Sequence, residues 1–338
     1  MPNPQDLSVL PLPAGPALNA DESDGRLTLT VAGQPLVRLR LERGEALHLH
    51  LQNPGEVPSV QALWAAAYWL FAREPERQQL AWHLEHAPDE ALRSGLLLAT
   101  EVAGQFRCER TLFWQLPQQP WLGQASSGVY PQQMVISTGK RHPLRAPKPC
   151  GEVYRRFDAR LGAWISLRTL EIDVDLARFN RWQNSARVAN FWQESGSLEQ
   201  HRDYLQKLAA DPHTLTLIGC IDDEPFAYFE AYWAKEDRIA PFYEVDDYDR
   251  GIHMLVGEEH HRGPHKVASW LSALVHYLFL DDPRTQRVVA EPRADNARMI
   301  GHMHNQCFHC EKEFDFPHKR AALMILGRER FFERCGLV

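Results

Sequence analysis

The chain has 338 residues, 44% of them hydrophobic, and a formal net charge of −7. That length allows two ordinary domains or one large one, each with its own core. Scattered basic residues leave no footprint for nucleic acid, no apolar run approaches the roughly 20 residues that cross a bilayer, and the opening MPNPQDLSVLPLPAG is not a secretory signal, so a cytoplasmic protein is expected. The six cysteines, Cys108, Cys150, Cys220, Cys307, Cys310 and Cys335, are spread along the chain and are expected to be reduced.

In chain order, residues 1–25 are rich in Pro, Asn and Asp and read as a loose lead-in. LTLTVAGQPLVRLRL then reads as two alternating strands around an Ala32-Gly33 turn, and LHLHL at 47–51 as a third. Val60 to Arg73 is a strongly apolar helix, and a second helix is expected within 88–105. Between Trp114 and Pro149 the chain turns to Gln, Pro, Gly and Ser, which sustain no long regular element, so the domain boundary is expected near 150. This divides the chain into a smaller mixed α/β domain at 1–150, without a chemical motif, and a second domain at 151–338.

The second half has sharper signals. Trp164 to Ile172 alternates as a strand, 173–192 carries a helical pattern, and Ser197-Leu-Glu-Gln200 fits a capping box that starts a helix to Ala210. Thr214 to Ile221 and Pro225 to Ala234 form a hairpin across the turn at 222–224. In GIHMLVGEEHHRGPHK the alternation of Ile252, Met254 and Val256 marks a strand; Val267, Leu271, Leu274, Val275 and Leu278 then recur at helical spacing. A strand at 287–290, the polar turn EPRADNARMI, a helix, and strands near Phe314 and at 323–326 complete the order β-α-α-β-β-β-α-β-α-β-β. A glycine turn before a helix, as at Gly263, can aim free backbone N–H groups and the positive dipole end at a pyrophosphate, although Arg-Gly before a helix is more often an ordinary turn.

That order is the order of the Gcn5-related N-acetyltransferase (GNAT) fold, an α/β (α+β) architecture with a mixed central sheet flanked by helices. Within it, YDRGIHMLVGEEHHRGPHKVASWLSAL and VVAEPRADNARMI resemble the siderophore-biosynthesis acyltransferases of the aerobactin type, which acylate N6-hydroxylysine or a related N-hydroxylated amine. The resemblance implies acetyl-CoA or another short acyl-CoA as co-substrate, no metal, and a hydroxamate product. It also implies a functional pair formed by His253 and an acidic residue after the EP turn. Relatives often read E/D-P-D where this chain has Glu291-Pro292-Arg293, so the acid falls on Asp295 or on Glu291. The cofactor loop keeps only the leading Arg262-Gly263 and a small residue near its end, with His265 and Lys266 adding charge and Asn296 opening the next helix. Backbone N–H groups around Leu255, Val256 and Gly257 are implied as donors to the thioester carbonyl, and Trp192, Glu230, Tyr232, Trp233 and Asp237 as the acceptor cleft. The expected partner is an N-hydroxylated amino acid or diamine, with no nucleic acid or membrane, and a homo-oligomer is compatible with this reading.

Each residue has a plainer reading. An imidazole with an ordinary pKa of about 6.5 suits general-base work near neutral pH, so His253 is the expected base; otherwise it is a half-buried strand residue satisfied by neighbours. Asp295 orients that ring, holds the substrate's cationic end, or caps the helix NARMIGHM, a task for which Asn296 competes. Aromatic and acidic cleft residues are otherwise core and solvated surface. HMHNQCFHC, with Cys307, Cys310, His302, His304 and His309, invites zinc, but four ligands at paired spacing do not emerge, and a helix end with a small buried thiol is the simpler reading. Two other functions compete: a GNAT enzyme for an ordinary amine, and a non-catalytic binding module that kept the fold.

Overall fold

The computed structural model describes residues 7–116, 121–123, 130–137, 139–334 and 336–337. The chain forms two compact units, one of residues 1–121, 156–163 and 336–338, the other of 122–155 and 164–335. The segment 1–6 and Cys335 lie outside the described residues; Cys108 and Cys220 are buried thiols and Cys310 an exposed one.

The first unit holds an eight-stranded sheet. In sheet order its strands are Val9–Leu10, Leu18–Ser23, Arg26–Val31, Gln34–Arg43, Leu47–Leu51, Gln79–His83, Gln105–Glu109 and Leu98–Ala99. The turn expected at Ala32-Gly33 is present, with both residues at positive φ. Helix Val60–Arg73 is the crossover that makes Leu47–Leu51 and Gln79–His83 parallel. Ser59 caps it, accepting from the Ala62 N–H. The loose lead-in is corrected: from Val9 to Ser23 the chain supplies two strands, because Leu10 and Leu18 are fully buried and anchor the sheet edge. A two-stranded hairpin, Met134–Ser137 with Lys140–Pro143, is the regular structure described in the Pro- and Gln-rich connector.

The second sheet and its helices run β1 (Glu152–Asp158), β2 (Ala163–Thr169), α1 (Ile172–Gln183), α2 (Ala186–Trp192), α3 (Leu198–Ala210), β3 (Thr214–Ile221), β4 (Glu224–Trp233), β5 (Arg250–Val256), α4 (Pro264–Asp281), β6 (Arg287–Ala290), α5 (Ala297–Asn305), β7 (His309–Asp315), β8 (Arg320–Gly327) and α6 (Arg328–Arg334), with 156–163 shared with the first unit. Its sheet order is β1-β2-β3-β4-β5-β6-β8-β7. Sequence periodicity missed β1 and α6 and merged α1 with α2. The break between those helices is fixed by the Asn184 side chain, which donates to the Gly196 carbonyl at 2.9 Å and accepts the Gly196 N–H at 3.0 Å. The capping box at α3 forms with both reciprocal bonds.

The helical layer of α1 to α3 covers one sheet face, where Leu176, Phe179, Trp182, Val188, Leu205, Tyr228 and Leu255 pack together. On the other face lies α4, whose Trp270 stacks on Phe229 with ring centres 5.3 Å apart. Strands β5 and β6 pair in parallel only at Arg250↔Val288 and Gly251↔Val289, and then diverge.

Candidate active site

Strand alternation puts Tyr228, Glu230 and Tyr232 on one face of β4, and antiparallel register sets them opposite Leu255, His253 and Gly251 of β5. Gly251 is needed for space, since a Cβ there would lie 1.9 Å from the Tyr232 ring. Tyr232 thereby crosses β5 and donates its hydroxyl to Glu291 Oε2 at 2.7 Å. Glu291 follows the last residue of β6, on the far side of the gap, so His253 and Glu291 face each other where the strands part.

The His253 ring bridges two carboxylates. Its Nδ1 lies 2.7 Å from Glu230 Oε2 and its Nε2 2.5 Å from Glu291 Oε1. Both acids are buried, while the imidazole side chain keeps 21% exposure and is the member of the group open to a substrate. Glu230 also accepts the hydroxyls of Tyr204 at 2.5 Å and Tyr228 at 2.8 Å. Burial alone favours a neutral ring, but the charge of Glu291 and the hydrogen bonds to Glu230 and Glu291 prevail, and the His253 pKa is pushed up to about 10. Burial would raise the Glu291 carboxyl too, yet the His253 charge and hydrogen bond, with Lys319, hold it down to about 2. The resting group is therefore an imidazolium between two carboxylates. This corrects the expectation of a ring poised near neutral pH: the sequence shows the histidine but not the acids folded against it.

The acid paired with His253 is Glu291. Asp295 is exposed, and both its oxygens accept from Arg293, at 3.0 and 2.6 Å. The cap competition resolves to Asn296, whose Oδ1 accepts the Met299 N–H at 3.2 Å. Among the expected cleft residues, Trp192 meets His253 edge to face with ring centres 6.3 Å apart. Asp237 is raised in pKa by burial and by the charge of Glu291. Trp233 is not in this cleft. As the neighbour of Tyr232 in a strand it points to the opposite face, under the guanidinium groups of Arg145 and Arg250.

A second cavity, of about 160 Å³, runs from Trp192 and Met254 past Leu255, Val256 and Asn296 to Arg262 and Gly263. At its far end Gly263 has φ 137°, Pro264 opens α4, and no side chain caps that helix. The first N–H groups of α4 and its dipole thus form an anion seat. Arg187 and Arg298, which sequence reasoning missed, line the same cavity. Burial and the like charge of Arg262 lower the Arg187 pKa, against the opposing charge of Glu259, whose carboxylate lies 3.7 Å from Arg187 Nε. Lys266 turns elsewhere, donating to the His260 carbonyl at 2.8 Å. Among the thioester donors, Gly257 is spent: its N–H donates to the Phe226 carbonyl at 2.8 Å. Antiparallel bonding alternates, so the Leu255 N–H also faces β4, leaving the N–H groups of Met254 and Val256 directed at the gap. A Cβ at Gly257 would lie 2.1 Å from the Trp182 ring, so this bend of the chain requires glycine.

In the HMHNQCFHC run, Cys310 is exposed and Cys307 turns the chain at φ 68°. The buried residues there are Met303 and Phe308, not a thiol.

Residues 171–316 match the family model described as an acetyltransferase (GNAT) domain. Over 230 residues the chain is 45% identical to an N(6)-hydroxylysine O-acetyltransferase of Escherichia coli, spanning 68% of this chain and 72% of that one. It is 34% identical over 318 residues to a hydroxyornithine transacylase of Ajellomyces capsulatus, spanning 82% and 72%. A crystal structure of an uncharacterized Bacillus halodurans protein superposes with a TM-score of 0.53, at 29% identity, over 55% of this chain and 95% of that one. With two such relatives sharing more than two thirds of their length with it, the chain belongs to the siderophore-biosynthesis acyltransferases of the GNAT superfamily.

Proposed function

We propose that the chain moves the acyl group of a short acyl-CoA, acetyl-CoA in the simplest case, onto the nitrogen of an N-hydroxylated amino acid or diamine, giving a hydroxamate. The observation that carries this reading is the imidazole held between two buried carboxylates at the mouth of a splayed strand pair. The gap beyond Gly251 accommodates a thioester arm, the N–H groups of Met254 and Val256 are donors for its carbonyl, and Arg187, Arg262, Arg298 and the start of α4 suit the phosphates.

A hydroxylamine nitrogen is far less basic than an alkylamine, so it is uncharged near neutral pH and attacks the thioester directly. As the C–N bond forms, that nitrogen becomes acidic, and the hydrogen-bonded His253–Glu291 pair, having first lost the ring's extra proton, takes the proton. Collapse of the oxyanion breaks the C–S bond, and the same proton passes to the departing thiolate. Glu291 and Glu230 fix the ring and stabilise its charged form, as an acid does for a catalytic histidine generally. Asp237 and Glu230 supply negative charge toward the acceptor's cationic end. No covalent acyl-enzyme is required.

The test is a product panel: acetyl- and succinyl-CoA against lysine, ornithine and putrescine and their N-hydroxy forms. Hydroxamate, identified by mass and by its coloured ferric complex, is expected with N-hydroxy acceptors. Acylation on oxygen, the position in the name of the Escherichia coli relative, gives the same mass without the ferric colour. Preference for the unhydroxylated amines would overturn the proposal.

A further inference from the structure

On the α4 face of the second unit, at the C-terminal end of that helix, lies a cavity of about 360 Å³ that the proposed reaction does not use. The 18 residues of α4 separate it from the anion seat at Gly263, roughly 27 Å at 1.5 Å per residue. Its wall carries Arg145, Arg250 and Tyr248, which keep only 9, 3 and 9% of their surface exposed. Each has a buried polar atom with no hydrogen-bond partner among the described residues: Arg145 Nη1, Arg250 Nε and the Tyr248 hydroxyl. Buried polar atoms are otherwise nearly always paired, and these three are all donors. The guanidinium carbons of Arg145 and Arg250 lie 4.0 and 4.2 Å from the centre of the Trp233 ring, and that of Arg284 lies 4.1 Å from Tyr248. Leu144, Leu215 and Ala231 give the rest of the wall an apolar character.

We infer that this cavity is a second ligand site, taking a small organic anion whose carboxylate meets the side chains of Arg145, Arg250 and Tyr248 and whose apolar body lies against Leu144 and Leu215. Charge agrees with an anion. The lining carries four cations, Arg145, Lys148, Arg250 and Arg284, against two carboxylates, Asp281 and Asp282. Those carboxylates are engaged by Arg250 at 2.7 Å and by Arg284 at 2.6 Å, and Glu236 is engaged by Arg145 from behind the wall. The cavity also touches the loop between β4 and β5. Lys140 donates to the carbonyls of both Glu236 and Asp237, each at 2.7 Å, so the loop that anchors Arg145 also carries the acid beside the His253 group.

Calorimetric titration of the full chain with benzoate, and with neutral benzamide of the same shape, tests the site, each with and without saturating CoA to fill the other cavity. Benzoate is expected to bind once per chain, unaffected by CoA, and about tenfold more tightly than benzamide, the worth of one charge-assisted bond. Tyr248→Phe, which keeps the ring and removes one free donor, is expected to weaken benzoate about threefold or more with an unchanged melting temperature. Equal binding of benzoate and benzamide, loss of benzoate binding when CoA is present, or an unchanged affinity in Tyr248→Phe would each overturn the assignment.

Discussion

At the scale of single residues, the His253 group makes a pH prediction whose sign follows from its neighbours. With a pKa near 10, most of the ring is charged at neutral pH, so the basic fraction grows as pH rises, and turnover should climb through the alkaline range. Glu230→Gln removes one of the charges that favour the imidazolium, so the rising limb should move to lower pH; a limb that stays in place would separate it from His253. Stability is linked to the same groups. The charged ring contributes stability fully present below its ordinary 6.5 and lost as pH rises through about 10, whereas Glu291 contributes above its ordinary 4.5 and loses this as pH falls through about 2. Thermal unfolding should accordingly show the group's contribution complete between pH 4.5 and 6.5. How much was legible differs among these residues. His253 was marked by the resemblance of the GIHML strand to the acyltransferase family, since alternation alone does not set it apart from His48 and His50 in LHLHL. Glu291 did not separate from Asp295, since two carboxylates a turn apart look alike until the end of β6 is placed opposite β5. Trp233 was avoidable: adjacent residues of one strand cannot both face one cleft, and Tyr232 already did.

At the scale of elements, the parting of β5 and β6 is held open by close-fitting side chains. Gly251→Ala would drive a methyl into the Tyr232 ring, at a cost of roughly 1–3 kcal/mol for overpacking. Because Tyr232 also donates to Glu291, this variant should lose turnover as well as melting temperature, measurable by thiol release and by thermal unfolding. An unchanged protein would mean that Tyr232 has another place to lie. The sequence marked most elements of this unit by their period or caps, as with Ser197 and Gly263. It was silent on β1 and α6, and on Arg187, whose role comes from where α2 docks rather than from its own neighbours in sequence.

At the scale of the whole molecule, both sheets have the same strand order, which the sequence did not disclose. Where the second unit inserts α1 to α3 between its second and third strands, the first has only the Asp24-Gly25 turn. Counting from the first parallel pair, Leu47↔Leu80 against Arg250↔Val288, His50 falls at the register of His253 and His83 at that of Glu291. The strand neighbour is Arg40 in place of Glu230. The first sheet pairs its parallel strands through four residues, Leu47 to His50, so it opens no gap for a thioester. The His83 pKa is lowered by burial and by neighbouring His50 and His48, the reverse of His253. His50→Ala should therefore leave turnover within about twofold of the parent, as expected for a group outside the reaction. A large loss in that variant would assign the first sheet a part in the chemistry.

On the proposed mechanism, a carboxylate-bracketed imidazole at the mouth of the β5–β6 gap carries the proton during acyl transfer to a hydroxylamine. The most direct measurement is the rate of hydroxamate formation from acetyl-CoA and N6-hydroxylysine by His253→Ala, with CoA binding and melting temperature recorded on the same sample. The prediction is a rate lower by roughly 100-fold or more while the chain stays folded and still binds CoA. A folded, CoA-binding variant that forms hydroxamate at the parent rate would remove His253 from the reaction.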